Sequence, residues 1–206
     1  MMEMKKGFIV LAVLMLIISS GTAHANLVTV NFDDLATSTP FNAGGSVGTV
    51  YYDVVPTNYT GLTWIGWEVI GNSDVNKYGN TLIFPSQANA VYPGNGSNAI
   101  TSNGQAFNFM GAYFASFVGG NGAGSSLILE GFLNGQSQGS VNVPLTGQMV
   151  YNSVNFGNVD EVRFTDGYFL MDNFKYDTTP VPIPATVWLF GSGLAGLLGL
   201  GRKKKG

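Results

Sequence analysis

Clusters of turn-forming residues, chiefly Gly and Asn, interrupt the chain between residues 26 and 177, as at 72–74, 93–96, 119–122 and 134–135. The segments between them are rich in Tyr, Phe, Trp, Val, Ile and Thr, which favour β-strands. Glycine at 29 positions and a charged fraction of only 10% further disfavour helices. The pattern therefore predicts an all-β domain of about nine strands, with no helix among them. The strand segments are expected at 28–32, 62–70, 82–84, 106–110, 112–118, 127–133, 139–143, 153–156, 161–164 and 169–176.

Strands of this length and spacing are typical of an antiparallel β-sandwich, and we expect a jelly roll over residues 26–177. The clearest hairpin is predicted at 127–143, where Asn134-Gly135 joins two segments with alternating apolar residues. The first and last strands of a jelly roll can be neighbours, which would place 28–32 beside 169–176.

The first 25 residues have the three parts of a secretory signal peptide. Lys5 and Lys6 form the positive region, an unbroken apolar run follows at 8–18, and the residues up to Ala25 match the cleavage motif. An uncleaved anchor helix is the alternative, but a membrane span needs about 20 apolar residues. We therefore expect export, with cleavage after Ala25.

The C-terminal end has the organisation of a short membrane anchor. Alternating prolines predict a stiff, extended linker over 178–184. The apolar, glycine-containing segment 185–201 is predicted to be a transmembrane helix, with a buried helix of a core as the alternative. The basic residues of 202–206 are expected to stay in the cytoplasm.

The proline-rich motif, the apolar segment and the basic end together resemble the PEP-CTERM sorting signal, most closely its VPLPA-type variant. Ile183 stands where the common form of the signal has Glu. The resemblance covers residues 181–206 and implies a Gram-negative bacterium, recognition by an exosortase, transient anchoring in the inner membrane and cleavage near the motif. It also implies release to the cell surface or extracellular matrix and an association with exopolysaccharide or biofilm. The motif residues are Val181, Pro182, Ile183, Pro184 and Ala185.

Short motifs at both ends of the domain carry a second resemblance. Phe32-Asp33-Asp34 near its start and Asp172-Asn173-Phe174 near its end make residues 26–177 similar to the galactose-binding-like sandwiches that precede PEP-CTERM tails. The resemblance implies the fold and leaves the ligand open.

Composition excludes several kinds of chemistry. The chain has no Cys, and its one His, His24, lies in the predicted signal peptide. Thiolate nucleophiles, Ser-His-Asp triads and nearly all transition-metal sites are therefore excluded from the mature domain. Residues 26–180 hold three basic and eleven acidic residues, a net charge of −8. Such a surface repels phosphate backbones, so nucleic acid is not an expected partner.

Two acids fall within apolar stripes of the terminal strands. Asp34 follows the parity of Val30 and Phe32, and Asp172 follows the parity of Leu170 and Phe174. A buried carboxylate needs a hydrogen-bond donor or a cation. If the two strands are neighbours, Asp34 and Asp172 are candidate ligands of a structural Ca²⁺ ion. The alternative is that each carboxylate binds turn amides.

The first half of the domain is rich in aromatic residues. Alternation places Trp64 and Trp67 on opposite faces, so at most one is expected in the core. Trp67, Tyr78 and Tyr92 are therefore candidates for a sugar-binding platform, since flat rings with polar edges suit saccharides.

Enzymatic activity has little support in the sequence. Glu68, Glu130, Asp160 and Glu161 could supply a glycosidase pair, but nothing in their spacing marks one, and solvated surface acids are the better interpretation. The leading hypothesis is an exported, non-enzymatic structural or adhesive protein of an exopolysaccharide matrix. A carbohydrate-binding module is the alternative, and a polysaccharide hydrolase comes third.

Overall fold

We describe a computed structural model of the 206-residue chain, which covers residues 26–94, 98–102, 104–117, 124–165 and 168–178. These residues belong to one compact unit. The predicted signal peptide, linker, transmembrane helix and basic tail lie outside the described residues, apart from residue 178. No helix among the residues described is long and apolar enough to cross a membrane.

The described part of the chain is mostly β, as the sequence predicts, with fourteen strands and one short helix, α1 (Asn72–Lys77). The strands are β1 (Asn26–Val30), β2 (Thr39–Asn42), β3 (Thr49–Val54), β4 (Asn58–Tyr59), β5 (Leu62–Ile65), β6 (Trp67–Gly71), β7 (Asn89–Pro93), β8 (Asn98–Thr101), β9 (Phe107–Ser116), β10 (Ser126–Leu133), β11 (Gln136–Pro144), β12 (Val150–Val159), β13 (Glu161–Thr165) and β14 (Phe169–Thr178).

The strands form two antiparallel sheets that pack face to face. The eight-stranded sheet has the order β12-β9-β14-β7-β6-β3-β2, with β1 also paired to β14, and the six-stranded sheet has the order β11-β10-β13-β8-β5-β4. Rings from both sheets meet between them, as where Phe164 of β13 contacts Trp67 of β6 and Phe109 of β9. The antiparallel β-sandwich expected from the sequence is therefore present. We call the buried residues between the sheets the inner core.

The structure contains the hairpin predicted from the sequence and also the terminal-strand pairing that a jelly roll permits. β1 lies antiparallel to β14, with Val30 opposite Phe174. β10 and β11 form the predicted hairpin, in which Leu133 pairs with Gln136. Asn134 and Gly135 take φ values of 51° and 74°, as a tight two-residue turn requires.

A second apolar cluster lies on the outer face of the eight-stranded sheet. We call it the outer cluster, and it brings strand residues such as Ile70 and Leu170 together with Val75 of α1 and the loop residues Leu82 and Phe84. The prediction that 82–84 is a strand is wrong. The Leu82 backbone is instead bound by a side chain of the helix. Asn76 Oδ1 accepts the Leu82 N–H at 3.0 Å, and Asn76 Nδ2 donates to the Leu82 carbonyl at 3.2 Å.

The expectation of no helix is also wrong, because α1 occupies a segment predicted as a turn. Val75 is fully buried on the side of the helix that packs in the outer cluster, and Lys77 Nζ lies 2.5 Å from Asp74 Oδ1. Six residues are too few for a helix to be stable alone. Its stability comes from packing on the sheet and from its asparagine side chains, which local sequence patterns do not reveal.

Candidate functional site

Two acids from opposite ends of the domain meet at one serine side chain. Ser86 Oγ lies 3.0 Å from Asp33 Oδ1 and 3.0 Å from Asp172 Oδ1. The carbonyl oxygens of Asn31 and Asn89 lie 3.2 and 3.4 Å from the same Oγ. A hydroxyl group has a single proton to donate, so these four oxygens compete for it. We call Asp33, Ser86 and Asp172 the terminal clasp.

Strand topology brings the clasp together. β9 pairs along one edge of β14, so β7 and β1 share the other edge. β7 lies beside Met171, and β1 pairs from Phe174 onward. Asp172 therefore lies where one neighbouring strand gives way to the other. Asp33 follows β1 and Ser86 precedes β7, so both reach the same junction.

The backbone of β14 changes its parity at Asn173, whose φ is 50°. Leu170, before it, packs in the outer cluster, whereas Phe174 and Tyr176, after it, pack in the inner core. The expectation that Leu170 and Asp172 share a face with Phe174 is therefore wrong. Asn tolerates a positive φ better than most residues, which explains this residue in the middle of the Asp172-Asn173-Phe174 motif.

Backbone amides hold both carboxylates of the clasp. Asp172 is 0% exposed and accepts hydrogen bonds from the N–H of Ser86 at 2.9 Å and of Asn173 at 2.6 Å. Asp33 Oδ1 accepts from the N–H of Ala88 at 3.2 Å and of Asn89 at 3.0 Å. Burial raises the pKa of Asp172 from 3.8 to about 6, although the hydrogen bonds from Ser86 and Asn173 oppose the shift.

The structure does not pair Asp34 with Asp172. Asp34 is exposed and accepts a hydrogen bond from the Tyr59 hydroxyl. Phe32 has a φ of 61°, which ends the strand alternation and gives Asp33, instead of Asp34, the inward position. Among the described residues, no three His, Cys, Asp or Glu side chains gather where they could hold a metal ion. For Asp172 alone, the contacts match the alternative in which the carboxylate binds turn amides.

An open cleft on the outer face of the eight-stranded sheet is walled by aromatic rings. Its volume is about 300 Å³, at the small end of ligand-binding sites. Phe117 contacts Tyr78 edge to face at 5.6 Å and Tyr92 at 5.5 Å between ring centroids, and Tyr52 contacts Phe41 at 6.3 Å. We call it the aromatic cleft, and its rings are Phe41, Tyr52, Tyr78, Tyr92, Phe117 and Tyr168.

Glu68 supplies a carboxylate within the cleft. It lies opposite Tyr92 in the register of β6 and β7, and the two side chains interact in the cleft. Burial, assisted by the neighbouring Glu68, raises the pKa of Tyr92, so the phenol stays protonated beside the carboxylate. Gly94 leaves room for this arrangement, because a Cβ there would lie 2.6 Å from Glu68 Oε1.

Of the three rings proposed from the sequence, the structure brings Tyr78 and Tyr92 together in the cleft and buries Trp67. Trp67 is 0% exposed and Trp64 is 2% exposed, with ring centroids 5.9 Å apart in the inner core. The expectation that at most one of them is in the core is wrong. Gly66, with a φ of 73°, ends the alternation, and the two tryptophans belong to strands of opposite sheets.

The other acids considered for catalysis do not line the cleft. Glu130 accepts a hydrogen bond from the Ser137 hydroxyl at 2.6 Å, and Asp160 accepts one from the Asn134 N–H at 2.7 Å. Glu161 pairs with Arg163. Each is therefore engaged at the hairpin or its neighbouring strand, within the six-stranded sheet or its loops. Ala25 and the sorting motif 181–185 lie outside the described residues.

Sequence reasoning missed Asp33 and Ser86 in the clasp and Glu68, Tyr52 and Phe117 in the cleft. Alternation within β6 places Glu68 on the face opposite Trp67. Once Trp67 is assigned to the core, this alternation predicts that Glu68 lies on the outer face of the sheet. No local pattern marks Ser86, because its partners are 53 and 86 residues away along the chain.

Comparison with known proteins adds no family assignment. A scan against protein-family models finds no match, and a search of curated proteins finds no significant relative.

Proposed function

We propose that this chain is an exported, non-enzymatic surface protein whose β-sandwich binds polysaccharide in the aromatic cleft. The aromatic cleft is the observation that supports this most directly. Tyr78, Tyr92 and Tyr52 are each partly buried, so their positions are fixed while part of each ring faces the cavity. Ring faces stack on the apolar faces of sugars, and phenol hydroxyls and a carboxylate bind sugar hydroxyls.

The carboxylates of the described residues favour binding over hydrolysis. Glycosidases use two acids about 5–9.5 Å apart across the bond that is cut. Among the described residues that line the cleft, Glu68 is the only acid. A bound sugar would meet one carboxylate beside the Tyr92 ring. An adhesive or structural role in an exopolysaccharide matrix follows from binding without turnover.

Export and sorting are proposed from the sequence of the two ends. The N-terminal motif supports cleavage after Ala25, and residues 181–206 support recognition by an exosortase. The protein would pass through the inner membrane and reach the cell surface or the matrix. Mass spectrometry of the mature protein tests this, since loss of the exosortase should leave the C-terminal tail attached.

We also propose that the sandwich is a jelly roll of the galactose-binding-like kind. The antiparallel pairing of β1 with β14 and the placement of both terminal motifs at that pair support it. An experimental structure of the domain would test the assignment through its strand connections.

Binding assays with the producing cell's own exopolysaccharide test the proposed function. The full-length chain, kept in solution with a polyoxyethylene detergent that carries no sugar, should be retarded in a gel containing the polymer. Tyr78→Ala should weaken the retardation, because it removes one wall of the cleft. Tyr151→Ala is the matched control, since Tyr151 is also surface-accessible but contacts Tyr113 and Lys175 instead. Equal migration with and without polymer contradicts the proposal.

A further inference from the structure

We propose that the aromatic cleft selects saccharides that carry a protonated amine, such as glucosamine units, over neutral or acidic ones. This inference rests on the proposed saccharide-binding function and names the ligand class for the same site. It is carried by the combination of a ring-walled cavity with one carboxylate to which the described residues offer no cationic partner.

Glu68 is the only charged residue among the described residues that line the cleft. The ion pairs found in the described part of the chain are Lys77 with Asp74 and Arg163 with Glu161, so neither neutralises Glu68. Its neighbour across the strand pair is Tyr92, whose hydroxyl is neutral. A half-buried carboxylate that no described basic residue neutralises is free to attract a ligand cation.

The basic residues of the described domain are engaged elsewhere. Lys77 Nζ donates to the Thr49 carbonyl at 2.8 Å, in addition to its contact with Asp74. Lys175 Nζ lies over the ring of Tyr151 at 4.9 Å from its centroid. No described lysine or arginine therefore competes with a ligand amine for the cleft.

The aromatic rings that wall the cleft favour a cation, as the Glu68 carboxylate does. Ring faces carry a negative quadrupole and attract ammonium groups, most strongly where water is partly excluded. Tyr52, Tyr78 and Tyr92 supply such rings around the Glu68 carboxylate. The net charge of −8 over residues 26–180 adds long-range attraction for a cationic polymer and repulsion for an acidic one.

A neutral sugar would use this site less fully. It can stack on the rings and donate a hydroxyl proton to Glu68, but it leaves the negative charge of the carboxylate uncompensated. An acidic sugar would place a second negative charge beside Glu68, which is unfavourable in a partly dehydrated cleft. The ranking expected from charge is therefore amine-bearing, then neutral, then acidic.

The test compares three β-1,4-linked oligomers of equal length that differ only at carbon 2: glucosamine, N-acetylglucosamine and glucose. Affinities of the full-length chain are measured by calorimetry in a polyoxyethylene detergent, at about pH 6 so that the amine is protonated. We expect the glucosamine oligomer to bind about tenfold more tightly than either neutral oligomer. The preference should shrink as salt is added, because exposed charges are screened.

Two variants locate the preference at Glu68. Glu68→Gln should reduce the affinity ratio to near one, whereas Glu130→Gln, which alters a carboxylate bound to Ser137 in the hairpin, should keep it. Gly94→Ala should also reduce the ratio, because the added Cβ displaces the flexible Glu68 carboxylate without a backbone clash. Thermal melts establish that each variant is folded.

Binding of all three oligomers with equal affinity, or an unchanged ratio in Glu68→Gln, would overturn this inference and leave saccharide binding in place. Absence of binding to every oligomer and to the cell's own polysaccharide would overturn the proposed function as well.

Discussion

Asp33 and Asp172, from opposite ends of the domain, share the hydroxyl group of Ser86, which lies 3.0 Å from a carboxylate oxygen of each. If both acids are ionised, one hydroxyl proton must serve two negative oxygens. If Asp172 is protonated, it can donate to Ser86 Oγ while Ser86 donates to Asp33. The shared hydroxyl therefore accommodates a neutral Asp172 below about pH 6, the value to which burial raises its pKa.

The first prediction concerns the pH dependence of stability. The pKa of Asp172 is higher in the folded state than its ordinary value of 3.8, so folding binds a proton between these values. Its contribution to stability is present below pH 3.8 and is lost as pH rises through about 6. The loss is on the order of 3 kcal/mol. Urea denaturation across this range should show it.

The control for this measurement is a comparison of two Asp→Asn variants. Asp172→Asn should remove this component of the pH dependence. Asp53→Asn should leave it in place, because hydrogen bonds from Thr39 and Ser38 lower the pKa of Asp53, which has the opposite sign of dependence. An Asp172→Asn curve that runs parallel to the parent curve would contradict the assignment.

The second prediction is that Ser86→Ala destabilises the domain by about 1–3 kcal/mol, since it leaves buried carboxylate oxygens without their shared donor. The effect should be larger at neutral than at acidic pH, because ionised Asp172 needs the donor more. Ser38→Ala, which removes an exposed hydroxyl 2.7 Å from Asp53, should cost less than about 0.5 kcal/mol. Chemical denaturation at two pH values measures both. Equal losses in the two variants would count against the clasp.

The third prediction concerns calcium. The carboxylates of Asp33 and Asp172 already accept four backbone N–H groups, so we expect neither Ca²⁺ nor EDTA to shift the melting temperature. Differential scanning calorimetry measures the shift. A rise with Ca²⁺ that is abolished in Asp172→Asn would instead support the structural ion predicted from the sequence.

The fourth prediction distinguishes a residue of the inner core, which supports stability, from a residue of the aromatic cleft, which supports binding. Trp67→Ala should cost about 3–5 kcal/mol of stability, because its ring contacts Trp64, Phe164 and Phe169 in the inner core. Trp67→Phe should cost less and should leave polysaccharide binding intact below the melting transition. Tyr78→Ala should do the reverse, reducing binding more than stability. A selective loss of binding in Trp67→Phe would contradict this division.

The fifth prediction tests the hairpin turn. Gly135→Ala should cost about 1 kcal/mol, since Gly135 has a φ of 74° while no other group lies within 4 Å of an added Cβ. The penalty is therefore purely conformational. Gly147→Ala meets the same open space without a positive φ, so it should be neutral or slightly stabilising. The melting temperature of Gly135→Ala should be lower than that of Gly147→Ala. Equal melting temperatures would contradict the prediction.

Sequence reasoning succeeded where the information was local. The Asn134-Gly135 dipeptide determines the β10–β11 hairpin because its residues accept positive φ. It failed where backbone parity changes, as at Phe32, Gly66 and Asn173, each of which has a positive φ. Alternation holds only within an unbroken strand. Each break therefore moved a residue of interest to another face: Asp33 replaced Asp34, Trp67 entered the core, and Asp172 left the stripe of Phe174.

The sequence by itself determined that the domain is mostly β, that it is acidic, and that it has no Cys and no His after the predicted signal peptide. Composition and turn residues act locally and additively, which is why these properties can be read from the sequence. It also permitted the terminal strands to be neighbours, without requiring it. Only the tertiary structure decided which side chains meet. Ser86 joins Asp33 to Asp172, and Glu68 joins the tyrosines of the cleft, because strands distant in sequence share an edge or a face of one sheet. Such contacts depend on register and packing, which no short segment encodes alone.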